Sequence, residues 1–152
     1  MPCKFLIAMD ENAVLEQWTG AVTLDELIAH KQRLSRDPSI KAGASVLSDF
    51  TRATIEISPE GVRKLSEMDK DARGNAAISR YALLVDYDVY EEAQLFADEV
   101  NNHGKSVIIF NSLELAATWL GMEFEKVREN LQSVASRHDR RHLAHDANAS
   151  PD

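Results

Sequence analysis

Cysteine is almost absent from this sequence, since Cys3 is the one cysteine among 152 residues. An intramolecular disulfide is therefore impossible, and the reducing cytoplasm is the compartment that this composition favours. A nucleophilic role for Cys3 would require neighbours that stabilise the thiolate. We expect Cys3 to be a small structural residue on a strand.

Basic residues are also scarce: 17 Lys and Arg stand against 25 Asp and Glu, for a net charge of -8. Nucleic acid requires a basic face, and anionic membrane surfaces attract basic segments, so neither partner is expected. No apolar run approaches the roughly 20 residues of a membrane span. The apolar run from Phe5 to Met9 is too short for the centre of a signal peptide and predicts a first strand instead.

Several catalytic signatures are missing as well. The sequence contains no Gly-rich phosphate loop, no His-Glu metalloprotease motif and no local signature of a nucleophilic triad. We therefore predict no catalytic residue, no cofactor and no enzymatic activity.

The sequence does contain regular apolar patterning, with 44% hydrophobic residues, which is enough for one domain with a real core. Strands alternate with helices in the order ββαβαβαβα, followed by a last helix. This order predicts an α/β protein with a five-stranded, mostly parallel sheet, an edge hairpin and helices on both faces. The strands are predicted at Cys3–Met9, Val14–Thr19, Ala44–Phe50, Tyr81–Val85 and Ser106–Phe110. The last two are continuous apolar runs, so we expect them to be the most buried strands.

Local cap signals mark where the helices begin. Thr23 and Glu26 form a capping box, as do Asp88 and Glu91, and Ser112 precedes another helix. Ser58 and Pro59 give an N-cap followed by proline at the first helical position. Each signal predicts a helix that follows a strand.

The segment after Gly121 carries a separate apolar stripe, formed by Phe124, Val127, Leu131 and Val134. We predict an α/β domain over 1–121, a C-terminal helix over 122–146 and a disordered tail over 147–152. The stripe can pack on its own domain or on a second copy of the chain. We predict the second arrangement, a homodimer formed through residues 122–138.

Histidines are the remaining candidates for metal binding. His138, His142 and His145 follow at helical spacing, which can hold zinc or nickel but also fits a solvated helix end, so no metal is predicted. His30 and His103 are isolated and are interpreted as surface or end-capping residues.

The order of elements resembles the STAS fold, and more closely its SpoIIAA-like branch, which is grouped with CRAL-TRIO-type lipid-binding domains. The resemblance covers roughly residues 4–121. It rests on three segments: Trp18–Thr23 entering the first helix, Val46–Phe50 followed by Ser58, and Val107–Asn111 followed by Ala116–Leu120.

This resemblance implies a regulatory site at Ser58. In regulatory STAS proteins a partner kinase phosphorylates a serine at the start of the helix that follows the Asp-ending strand. Ser58 matches that position, but the family pattern Asp-Ser-Ser-Gly is replaced here by Ile57-Ser58-Pro59-Glu60. The alternative is that Ser58 acts only as an N-cap.

Two candidate sites follow from strand ends. The first is a partner-binding or regulatory surface that contains Asp49, Thr51 and Ser58. The second is a ligand pocket lined by Phe50, Tyr87 and Tyr90. The carboxylates Asp49, Asp86 and Asp88 could also bind a metal or exchange protons at the sheet edge, but local capping is the preferred interpretation of Asp49 and Asp88.

The sequence therefore predicts a non-enzymatic regulatory or protein-interaction module. The alternative is a binder of a small apolar or lipid-like ligand. A large closed pocket would favour the ligand binder, and a shallow polar surface around Ser58 would favour the partner module.

Overall fold

The computed structural model describes residues 2–71, 78–101 and 105–136. Within these ranges five strands form one sheet and five α-helices cover it. The strands are β1 Cys3–Ala8, β2 Ala13–Thr23, β3 Ala44–Glu56, β4 Ile78–Leu84 and β5 Ser106–Phe110. The helices are α1 Leu24–Ser35, α2 Pro59–Asp71, α3 Tyr90–Asn101, α4 Leu113–Leu120 and α5 Phe124–Ser136.

The sheet has the order β1-β2-β3-β4-β5, with β1 antiparallel to β2 and every other pair parallel. Asn12 adopts a left-handed conformation, with φ of 49°, and closes the hairpin between β1 and β2. The predicted mixed sheet with an edge hairpin is confirmed.

The helices divide between the two faces of the sheet. Each parallel strand is added on the same side of its predecessor, so the right-handed crossovers place α1, α2 and α3 on one face. Apolar residues of α1 and α3 join those of the sheet in one buried cluster, which includes Leu34 of α1 and Val100 of α3. The second cluster, on the opposite face, contains Ala117 of α4 and Leu131 of α5.

The apolar stripe of α5 is buried inside its own chain. Val127, Leu131 and Val134 are at most 5% exposed and pack with Leu6 and Leu15 of the hairpin. The stripe therefore packs on its own domain, which is the other arrangement that the sequence left open. The stripe is not available to a second copy, and the reason given for a homodimer through residues 122–138 no longer holds.

Two strand predictions are wrong. The apolar run of β5 forms an edge of the sheet because it is added last, and Ile108 is 39% exposed. β3 does not end near Asp49 but continues to Glu56, because its residues 52–56 pair with residues 19–23 of β2. The residues after Phe50 were predicted to form a loop that leads to Ser58, but their polar side chains alternate with the inward-facing Ala53 and Ile55 of the strand.

Most cap predictions are confirmed. The capping box of Thr23 and Glu26 is present, and the side chain of Ser112 accepts a hydrogen bond from the Leu115 N–H. The predicted box of Asp88 and Glu91 is absent. Instead, Asp86 caps a 3-10 turn at Tyr87–Val89 that leads into α3.

Candidate ligand-binding site

A cavity of about 400 Å³ lies between the sheet and the layer of α1, α2 and α3. Its wall is mostly apolar and includes Leu27, Phe50, Ile55, Leu65, Met68 and Phe96. Gln32 and Ser35 of α1 also line it and are exposed, which indicates that the cavity opens beside α1.

Strand alternation brings polar residues to this apolar wall. Glu16 lies between Val14 and Trp18 on the face of β2 that points towards α1, and Ser48 occupies the equivalent position between Val46 and Phe50. Glu16 and Ser48 are direct partners in the register of β2 and β3. The sheet therefore places a carboxylate and a hydroxyl side by side beneath the helices.

Glu16 accepts hydrogen bonds from three different elements. Its Oε1 accepts from Ser48 Oγ at 2.7 Å and from Trp18 Nε1 at 3.1 Å. Its Oε2 lies 2.6 Å from His30 Nε2 of α1. Glu16 is 4% exposed, so these donors replace the water that the carboxylate loses on folding.

These contacts keep Glu16 ionised. Burial raises the pKa of the carboxyl, but the positive charge of His30 and the hydrogen bonds from His30, Ser48 and Trp18 outweigh it. The net result is a pKa below the ordinary value of 4.5. The Glu16–His30 contact is therefore a buried hydrogen bond to an ionised carboxylate.

The ring of His30 is held between two aromatic side chains. Its centroid lies 4.9 Å from that of Phe5 and 5.3 Å from that of Trp18, both in edge geometry, and Trp18 stacks on Phe50. The Nδ1 atom of His30 is buried and has no hydrogen-bond partner among the described residues.

The Cys3 thiol lies next to this pair, with its Sγ 3.9 Å from His30 Nε2. Burial and the charge of Glu16 raise the pKa of Cys3 far above its ordinary value, although Arg33 acts in the opposite direction. Cys3 is therefore a protonated, buried residue of β1. This agrees with the structural role predicted for it.

A second polar cluster surrounds Asp69 of α2. Its Oδ2 lies 2.5 Å from Lys31 Nζ, and its Oδ1 accepts a short hydrogen bond from the Tyr81 hydroxyl. Lys105 donates to the Asp69 backbone oxygen at 2.8 Å. The ammonium group of Lys31 also lies 5.0 Å from the ring centroid of Tyr81 and 5.3 Å from that of Phe96.

The same burial shifts two pKa values in this cluster. Burial, the charge of Asp69 and the hydrogen bond to it raise the pKa of Tyr81 well above its ordinary value. Burial lowers the pKa of Lys105, although Asp69 partly opposes the change. Tyr81 therefore remains a hydrogen-bond donor to Asp69 at neutral pH.

Of the three residues predicted to line a ligand pocket, Phe50 lies at the cavity and Tyr87 and Tyr90 do not. Phe50 lines the cavity and is 7% exposed. Tyr87 and Tyr90 do not line it and are 98% and 49% exposed, because the 3-10 turn after β4 directs them outwards. Val89, between them in sequence, is the residue of this turn that reaches the cavity.

The predicted partner surface is spread along β3. Asp49 lies within the strand, where its Oδ1 accepts from the backbone N–H of Thr51 at 2.9 Å and from the hydroxyl at 2.6 Å. Ser58 lies beyond the end of β3, is exposed, and accepts from the Gly61 N–H at 3.2 Å. Asp49 and Ser58 are nine positions apart, which corresponds to roughly 30 Å of extended chain.

The other candidates do not form a metal site in the described residues. Asp86 accepts from the Asp88 N–H at 3.2 Å, and nowhere in ranges 2–71, 78–101 and 105–136 do three His, Cys, Asp or Glu side chains form a group that could hold an ion. His103 and the set His138, His142 and His145 lie outside these ranges.

Sequence reasoning missed the polar residues that define this site. His30 was interpreted as a surface or end-capping residue, but it is 3% exposed, and Glu16 and Asp69 were not considered. A signal was present in the periodicity. Glu16 and Ser48 interrupt the apolar residues on the inward face of β2 and β3, and His30 and Asp69 lie among the inward-facing apolar residues of α1 and α2. Polar residues at inward positions indicate a buried network.

A comparison with solved structures finds similar chains. The chain is similar to an uncharacterised protein of the DUF3478 family from Shewanella loihica PV-4, which has a SpoIIAA-like fold. The two share 16% identity over 71% of this chain and 83% of the other, with a TM-score of 0.46.

No family model and no curated protein matches the chain. Among the described helices, none combines the length and the apolar character that a membrane crossing requires.

Proposed function

We propose that this protein binds a small, mostly apolar molecule in the cavity between the sheet and helices α1, α2 and α3. The observation that carries the proposal is a volume of about 400 Å³ with a predominantly apolar wall. Ligand pockets commonly measure 300–1,000 Å³ and combine apolar walls with a few placed polar groups.

The polar groups of the cavity support binding rather than catalysis. Glu16 and Asp69 are each held by several donors from neighbouring elements. Such a network keeps the wall in one arrangement, so a ligand would meet a pre-formed surface. Binding without a chemical step is therefore the proposed activity.

Two alanines on one face of α3 provide a sharp test of this proposal. Ala93 lines the cavity, whereas Ala97, one turn further on, is packed in the apolar cluster and is not a lining residue. In Ala93→Leu the added methylenes can enter the cavity. In Ala97→Leu they would overpack the cluster, at a cost of about 1–3 kcal/mol.

The probe is N-phenyl-1-naphthylamine, a neutral dye that fluoresces in apolar surroundings. We expect the wild-type protein and Ala97→Leu to bind it and Ala93→Leu to lose binding while remaining folded. Native mass spectrometry of the purified protein should also detect any molecule that remains bound. Equal dye binding by both variants would place the dye outside the cavity, and no binding by the wild type would refute the proposal.

A regulatory or protein-interaction role is the second candidate, supported by the exposed hydroxyl of Ser58 at the start of α2. A phosphate there would lie at a helix N-terminus, which favours anions. Mass spectrometry of the protein from its native cell would test this role, and consistent absence of phosphate on Ser58 would leave Ser58 only its function as an N-cap.

A cytoplasmic location rests on the single buried cysteine.

A further inference from the structure

We propose that the molecule bound in the cavity is an apolar amine, whose ammonium group pairs with the carboxylate of Glu92. This inference rests on the proposed function and adds the chemical class of the ligand. Two observations carry it: the balance of charge around the cavity, and the position of Glu92. This lining carboxylate has no hydrogen-bond or ion-pair partner among the described residues.

The charged side chains that line the cavity are predominantly acidic. Among the described residues, the lining carboxylates are Glu16, Asp69 and Glu92, and the lining lysine is Lys31. His30 also lines the cavity, and the negative charges outnumber the positive ones in either of its protonation states. An apolar wall screens charges weakly, so this excess favours a cation over an anion.

Two of the three carboxylates are already occupied. Glu16 is held by donors from β2, β3 and α1. Asp69 lies 2.5 Å from Lys31 Nζ and 3.7 Å from Lys105 Nζ, so two ammonium groups already face it and would repel a third. Glu92 is the lining carboxylate that remains for a cation.

Helical spacing places Glu92 on the side of α3 that faces the cavity. Glu92 lies in the first turn, next to Ala93 and four residues before Phe96, and both of these residues line the cavity. Its neighbour Glu91 is exposed and does not line it. Glu92 is half-buried, so its carboxylate has lost part of its contact with water and gains from a charge-assisted hydrogen bond.

The apolar part of the wall limits the ligand to a single charged group. Side chains such as Ile57, Val62 and Leu65 would surround the rest of the molecule. A second ammonium group or a carboxylate would lose water against these side chains without gaining a partner. The chemistry of the wall therefore fits a monoamine with a hydrocarbon body, and not a polyamine or an amino acid.

The test compares two probes that share a tail and differ in the head group, decylamine and 1-decanol. Decylamine carries an ammonium group at pH 7.5, where calorimetric titrations would use the wild type, Glu92→Gln and Glu91→Gln. Both variants remove one negative charge from the first turn of α3, but of the two residues only Glu92 lines the cavity.

We expect the wild type and Glu91→Gln to prefer decylamine over 1-decanol by about tenfold, because the ammonium group donates a hydrogen bond to a charged partner. Glu92→Gln should lose this preference and bind 1-decanol as the wild type does. A preference that persists in Glu92→Gln, or one that both variants lose equally, would assign it to the general negative charge of the surface and overturn the proposal.

The remaining outcomes separate this inference from the proposed function. Equal binding of both decyl compounds by the wild type overturns the amine assignment and leaves the cavity as an apolar site. Binding of the naphthylamine dye without binding of either decyl compound also overturns it. Failure of all three probes overturns the proposed function itself.

A spectroscopic measurement on the wild type keeps the assignment falsifiable if Glu92→Gln does not fold. Nuclear Overhauser effects should connect the ring protons of Phe96, one turn after Glu92, with the methylene next to the nitrogen of decylamine. Effects from this ring to the terminal methyl group of decylamine alone would place the ammonium group elsewhere and refute the contact.

Discussion

At the scale of single residues, Glu16 has the most demanding environment in the described structure. It is an ionised group in an apolar layer, and its donors come from β2, β3 and α1. Burying a charge without such partners costs several kcal/mol, so Ser48, Trp18 and His30 are required together. The network therefore ties α1 to the centre of the sheet.

The first residue-scale prediction concerns stability in acid. The pKa of Glu16 is lowered in the folded protein. The ionised carboxylate therefore stabilises the fold at pH values above the ordinary pKa of 4.5, and this stabilisation is lost as the pH falls through the lower pKa of the folded state. Glu16→Gln should lower the free energy of unfolding at pH 7 by about 3 kcal/mol. The difference in the free energy of unfolding between the wild type and Glu16→Gln should then narrow as the pH falls below about 4.5.

Urea denaturation between neutral and acid pH would measure this gap. Glu125→Gln is the matched control, because Glu125 lies on the surface of α5, with its side chain 56% exposed and paired with Arg128. The control should be close to wild type throughout. A gap for Glu16→Gln that is constant over the pH range would contradict the assignment of the charge.

At the scale of elements, the helices begin where side chains satisfy the first backbone N–H groups. Thr23, Ser58 and Ser112 each accept a hydrogen bond from an N–H in the first turn of α1, α2 or α4. Gly121 ends α4 in the left-handed conformation, with φ of 73°, which glycine adopts without strain. These contacts are local, so they form whatever the sheet order is.

The element-scale prediction is the cost of removing one such cap. Ser58→Ala should lower the free energy of unfolding by about 1 kcal/mol, because the Gly61 N–H loses its acceptor. Ser58→Thr should retain most of the stability, and Ser112→Ala should cost a similar amount through α4. A Ser58→Ala variant as stable as wild type would show that the cap contributes nothing.

At the scale of the whole molecule, α5 completes the second helical layer. Without α5, the face of the β1–β2 hairpin that lies opposite α1, α2 and α3 would expose Leu6 and Leu15 to water. Lys4 also donates to the Ala135 backbone oxygen at 3.2 Å, which attaches the end of α5 to the edge strand. The last described helix is therefore part of the domain.

The whole-molecule prediction follows from this packing. Leu131→Ala should lower the free energy of unfolding by about 2–5 kcal/mol, since Leu131 is 5% exposed, and should leave the mass in light scattering unchanged. Glu129→Ala, on the exposed side of α5, should change neither quantity. A change of subunit number at unchanged stability would instead place the stripe in an interface between copies.

The parts of the fold that could be predicted were those with a local signal. The strands were located by their apolar residues, and the hairpin by the turn residues up to Asn12. Burial was predicted less well, because a continuous apolar run such as β5 fits an edge strand as well as a central one. The site was predicted only at Phe50, since aromatic character alone does not distinguish a lining residue from the exposed Tyr87.

The sequence by itself determined which segments form helices and strands, because caps and periodicity act between residues a few positions apart. The length of β3 was decided by its pairing with β2. Only the tertiary structure decided which polar residues meet. Glu16 is separated from His30 by 14 residues and from Ser48 by 32, and their contact depends on strand register and on the face that α1 covers. The same holds for the stripe of α5, whose partner in the hairpin is specified by the path of the chain and not by any pattern near Leu131.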